Sequence, residues 1–262
     1  MQPVFAPRTT RARVSPSLSG LLALLLIPAA IVLAFFYAPL NVNPLGGGEF
    51  QDDFPQKIFY LHVPIAFAAY LAFFAGAWNA LLYLLRGEDD YDVRSYVGVH
   101  VGVVFGTLVL LTGMIWAKGA WGVWWEWKDT QLLVFLTLYL FYCSYFMLRF
   151  SIDPGPYRAR VSAVFTLLGI VLAPLSFLAI RIADSIIHPT VIEPGNTSTM
   201  TGEMWLTLGV AIAGFLSLAV WMIQAEVAGK LLAQRGWVSN EGARPVELGT
   251  GKEAHARVAH GS

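Results

Sequence analysis

Six stretches of the chain, at about 18 to 40, 58 to 85, 95 to 117, 130 to 149, 161 to 181 and 204 to 224, carry no charged side chain except at their ends. A hydrocarbon layer about 30 Å thick is crossed by about 20 residues of helix, because each residue rises about 1.5 Å. Each stretch is long enough, so the pattern predicts an all-α integral membrane protein with six transmembrane helices. The only histidines within these spans are His62 and His100. Polar residues gather between the spans and after the last one, which predicts a membrane domain over 1–228 and a polar, mobile tail over 229–262.

Composition supports this reading. Apolar residues make up 56% of the 262 and charged residues only 13%, where a soluble domain carries about a quarter charged. The net charge of zero and the lack of a long basic run exclude a nucleic-acid surface. Cys143 is the single cysteine, so the chain has neither an internal disulfide nor a thiolate metal cluster. The first span follows Arg8, Arg11 and Arg13 in the manner of a signal peptide, but its apolar run exceeds the usual 7 to 15 residues or so of a signal core, and an uncleaved helix is expected.

Basic residues orient the spans. With the N-terminus cytoplasmic, thirteen Lys and Arg residues fall on that side and four, Lys57, Lys118, Lys128 and Arg181, on the other. The positive-inside rule therefore predicts that both termini are cytoplasmic and that the segments 41–57, 116–130 and 182–203 face outward.

The middle outward segment holds Trp116, Trp121, Trp124, Trp125 and Trp127, five of the nine tryptophans within twelve residues. Interfacial belts also use tryptophan, but they spread it over many helix ends. Here it is concentrated in one loop and interleaved with Gly119 and Gly122, and a flat aromatic shelf suits a flat apolar ligand. The spacing predicts that Trp121, Trp124 and Trp125 share one side of a helical turn.

Two histidines are expected at the same face: His62, about 7 Å into the second span, and His188, just after the fifth. A single intramembrane imidazole is usually a helix-to-helix hydrogen bond, and His100 is read that way. A pair converging on an aromatic loop is a functional candidate, because neutral imidazole is a ready axial ligand for haem iron. Pro64 and Pro189 follow the two histidines closely and could help aim the rings.

At these residues the sequence resembles the haem-handling proteins of cytochrome c maturation, the CcmC and CcsA family, and within it the CcmC group. The family pattern W-G-x-W-W-x-W-D is matched in its first seven positions by Trp121 to Trp127, and His62 and His188 correspond to the flanking histidines. The chain departs from the pattern at Lys128, which stands where the family has aspartate, with Asp129 one position later.

The resemblance implies that the protein binds haem b at the outer face of a bacterial inner membrane and delivers it to the haem chaperone CcmE, without being an enzyme. Its implied partners are the ABC-type transporter subunits CcmA and CcmB and the small protein CcmD. The implied iron ligands are His62 and His188, and the implied haem-contacting set adds Trp116, Trp121, Gly122, Trp124, Trp125, Trp127 and Asp129. Lys118, Lys128 and Arg181 are placed to meet haem propionates. Two other functions remain open: a b-type electron-transfer cytochrome, and a component of a CcsA-type cytochrome c synthase.

Overall fold

A computed structural model describes residues 17–40, 54–182 and 200–241. Helix α1 (Leu18–Phe36) begins at Ser17, whose hydroxyl accepts the Gly20 N–H and so satisfies one of the donors a helix start leaves unpaired. A short 3-10 turn, Phe54–Ile58, leads into α2 (Phe59–Arg86). That helix ends at Gly87, where φ is 72° and the N–H closes on the Tyr83 carbonyl. Only glycine takes this left-handed conformation without strain.

Helix α3 (Asp89–Trp121) opens on Asp89, Asp90 and Asp92, acids that complement the positive end of the helix dipole. Helix α4 (Thr130–Phe150) is capped by Asp129. Helix α5 (Pro156–Ile170) starts on a proline, which has no N–H to leave unpaired. Helix α6 is Leu172–Ile182 and α7 is Gly202–Glu241.

Among the described residues, six helical stretches are long and apolar enough to cross a membrane: 18–36, 56–86, 89–121, 130–150, 156–176 and 202–234. They fall at the six predicted positions. The fifth differs in one respect, because the continuous helix expected over 161–181 is broken at Val171. Pro174 explains the break, since its ring nitrogen has no hydrogen for the carbonyl of Ile170 four residues earlier. Helix α7 continues without interruption beyond residue 228 to Glu241, and residues 242–262 lie outside the described part of the chain.

Helix α2 is central, packing against α3, α5 and α7, while α1 lies on α7 and α4 lies on α5 and α6. Its inner face carries Ala68, Ala69, Ala72, Gly76 and Ala80, all buried. Side chains this small let helix backbones meet, which is how packing forces hold helices together where no hydrophobic effect operates between them. Gly76 and Gly98 meet in this way: a Cβ added at Gly98 would lie 2.5 Å from the Gly76 backbone. Beside this contact Phe73 stacks on Tyr142 with ring centroids 4.2 Å apart, and the Tyr142 hydroxyl donates to the Thr166 carbonyl across to α5.

At the end opposite the tryptophan loop, Arg149 of α4 forms a bidentate pair with Asp92 of α3, at 2.8 and 2.6 Å. His100, expected to be a core histidine bonded to a neighbouring helix, does bond one: its Nδ1 lies 2.8 Å from Glu226 Oε2 of α7. Its side chain is nevertheless 44% exposed, so the bond lies at the bundle surface.

Candidate functional site

The loop end of the bundle is built where α3 stops. Gly122 has φ 74° and its N–H bonds to the Lys118 carbonyl, so the helix closes at Trp121. Residues 123–129 are not helical. The expectation that Trp121, Trp124 and Trp125 share a helical turn is therefore corrected: Trp121 belongs to the last turn of α3, and the other two lie beyond the left-handed glycine.

The tryptophans form two groups. In the first, Trp116 lies 5.8 Å from Trp121, centroid to centroid, and also packs edge-on against Phe59. In the second, Trp125 and Trp127 lie 5.9 Å apart. Trp124 and Trp127 are mostly exposed, at 55% and 69%, so the loop presents aromatic surface. Lys118 reaches back along the loop, donating to the Gly122 carbonyl at 2.8 Å with its ammonium 6.0 Å from the Trp124 ring centre. The Trp125 indole nitrogen and the Gln131 amide oxygen are buried without a hydrogen-bond partner. An orphaned donor and an orphaned acceptor thus lie at the base of the loop.

His62 joins the first group. Its ring is buried on α2, and Trp116 meets it edge-on at 5.7 Å and 71°. The continuous path His62, Trp116, Trp121 therefore runs from inside the bundle to the loop. Gly113 makes room for the imidazole, since a Cβ there would lie 3.0 Å from His62 Cε1.

The orientation of the imidazole follows from Thr112. The Thr112 hydroxyl lies 2.7 Å from the Leu108 carbonyl oxygen and 3.2 Å from that of Val109, both of which can only accept. The hydroxyl also lies 2.9 Å from His62 Nδ1. When its one proton goes to its own helix it accepts from His62, and neutral His62 then carries its proton on Nδ1 and its lone pair on Nε2. A hydrogen bond of this kind fixes both tautomer and ring angle in metal-binding histidines.

Asp129 is wholly buried and accepts the Leu132 N–H as the cap of α4. Lys128 donates its backbone N–H to the Glu126 carboxylate at 2.9 Å. Arg181 falls in the last turn of α6. His188 and Pro189 lie outside the described residues, as does most of the outward segment that contains them. Thus the structure brings His62, Trp116 and Trp121 together, joins Trp125 to Trp127, and gives Gly122 and Asp129 definite backbone roles. Thr112 and Gly113 were not anticipated from the sequence. Thr112 is an ordinary threonine inside an apolar span, and only the register of α3 against α2 reveals its partner. Among the described residues, no group of three or more His, Cys, Asp or Glu side chains could hold a metal ion.

Comparison with known proteins agrees with this architecture. The family model described as CcmC, heme exporter protein C, matches residues 4–240. Heme exporter protein C of Rhodobacter capsulatus is 29% identical over 86% of this chain and 90% of its own length. The Paracoccus denitrificans protein of the same name is 30% identical over 71% of this chain and 78% of its own. That of Bradyrhizobium diazoefficiens is 26% identical over 79% and 78%. The family match runs through all six membrane-spanning stretches and through the tryptophan loop, and the chain belongs to the CcmC, or heme exporter protein C, family.

Proposed function

We propose that the protein receives haem b as cargo at the tryptophan-loop end of the bundle, on the outer side of the membrane, and hands it to the haem chaperone CcmE. The observation that carries this reading is the placement of His62, buried against Trp116, which in turn packs on Trp121 of the loop. Its Nδ1 bond to Thr112 orients the ring, and a neutral imidazole so placed is a ready axial ligand. His188 is the second ligand. The aromatic surfaces of Trp121, Trp124, Trp125 and Trp127 cover the macrocycle and keep water from it. Lys118 and Lys128 supply positive charge for the propionates beside the loop.

A site at the end of the bundle leaves an edge of the porphyrin open to a second protein, as handing over a cargo requires. CcmA, CcmB and CcmD are the expected partners of the assembly. Purified haem-loaded protein mixed with purified CcmE tests the transfer: haem absorbance should move to CcmE on separation of the two. Haem that stays with this chain at every ratio of CcmE, while CcmE accepts haem from solution, would contradict the reading.

A further inference from the structure

A cavity of about 470 Å³ lies between α1, α2, α3 and α7 in the half of the bundle nearer the tryptophan loop. On α1 it is lined from Ile27 to Phe35, about 12 Å of helix. Ile31, Phe35 and Ile115 on its rim are each about half exposed, so it opens sideways towards the membrane interior rather than into the bundle. Trp116 forms part of its wall and, by its other contacts, part of the wall around His62.

The polar groups of the lining lie at one end. Lys57, in the 3-10 turn before α2, is its one charged residue and donates one hydrogen bond to the Ala38 carbonyl. An ammonium has three donors. One turn further in, Tyr60 also lines the cavity, with its hydroxyl enclosed by protein. Beyond Tyr60 the lining is hydrocarbon.

From this order we infer that the cavity is a binding site for a phospholipid of the leaflet on the tryptophan-loop side. The phosphate meets Lys57 at headgroup depth, and one acyl chain lies along α1. A charge followed by about 12 Å of apolar wall matches the order of phosphate and acyl chain. Haem fits less well, because no histidine, cysteine or methionine lines the cavity. The bound chain backs Trp116 and so supports the aromatic wall beside His62.

The test uses the full-length protein in nanodiscs containing phosphatidylglycerol with a diazirine at mid-chain. After illumination, labelled peptides are mapped by mass spectrometry. Labelling is expected to concentrate on 27–35 and 115–119, above the level at Phe74 and Trp78, which are exposed on α2. In Lys57→Gln it should fall about tenfold, the loss of one charge-assisted hydrogen bond. Ala30→Phe, which fills the cavity, should lower it likewise, and His62→Ala should leave it unchanged. Labelling no denser than at Phe74 and Trp78, or undiminished in Lys57→Gln, overturns the inference. So does displacement of the lipid by one equivalent of haem in His62→Ala, which would give the cavity to the porphyrin. Because the readout is lipid labelling, failure of the haem site leaves this result intact.

Discussion

The Thr112 hydroxyl and His62 Nδ1 are hydrogen-bonded across the α2–α3 interface, over 2.9 Å. The bond sets the angle of the imidazole. Thr112→Val removes the hydroxyl with little change in shape, and haem affinity should fall about 10–100-fold, as it does when the partner of a ligating histidine is lost. Thr112→Ser should restore most of it. Haem titration of the purified variants measures both, and equal affinity in all three proteins would remove Thr112 from the site.

Asp129 separates a capping role from a haem-facing one. Its carboxylate accepts the Leu132 N–H, so Asp129→Ala should lower thermal stability by about 0.5–2 kcal/mol. Asp129→Asn keeps an acceptor oxygen, and most of the stability should return. Haem retention is expected to follow stability across the pair. A stable Asp129→Asn protein that has lost haem would show instead that the negative charge acts on the cargo site.

The two positive-φ glycines beside α2 and α3 predict different responses from the glycines between them. A Cβ at Gly98 has no space against Gly76, so Gly98→Ala should force the helices apart at about 1–3 kcal/mol. At Gly87 nothing lies within 4 Å, and Gly87→Ala strains only a φ of 72°, at about 1 kcal/mol. Denaturation in detergent should rank Gly98→Ala as the more damaging. The reverse order would mean that the α2–α3 contact is looser than described.

Breaking the Asp92–Arg149 pair leaves a largely buried charge without its partner. The side chains are 7% and 15% exposed, so Arg149→Ala or Asp92→Ala should cost about 3–5 kcal/mol. Replacing both with apolar residues of similar size, Arg149→Met with Asp92→Leu, should recover much of the loss. Thermal unfolding of the three variants checks this, and a double variant as unstable as the sum of the singles would contradict it.

The number and placement of the helices were legible because membrane spans are set by length and charge alone, and both can be counted along the chain. The tryptophan cluster and His62 were legible as chemistry that a lipid-facing helix has no need for. The conformation of the loop was less so. Periodicity carried the helix past Trp121, while Gly122, in the left-handed region, ended it. Pro174 carried a local signal for the α5–α6 break, but the apolar run around it concealed that signal. Asp129 before Thr130 has the chemistry of a helix cap, a local signal that the adjacent tryptophan pattern overlaps. Thr112 could not have been found from the sequence, since its role depends on how two helices register, and the close contact of Gly76 with Gly98 lies fourteen residues away along each helix.

The central claim is that His62 ligates haem iron. The most direct measurement is the absorption spectrum of detergent-purified His62→Ala beside the wild type and Thr112→Ser, each saturated with haem and washed, with thermal unfolding used to show that the variant is folded. The expected result is a wild-type Soret band characteristic of histidine ligation, nearly unchanged in Thr112→Ser and lost or shifted in His62→Ala. A folded His62→Ala protein with the wild-type Soret position and haem content would contradict the account.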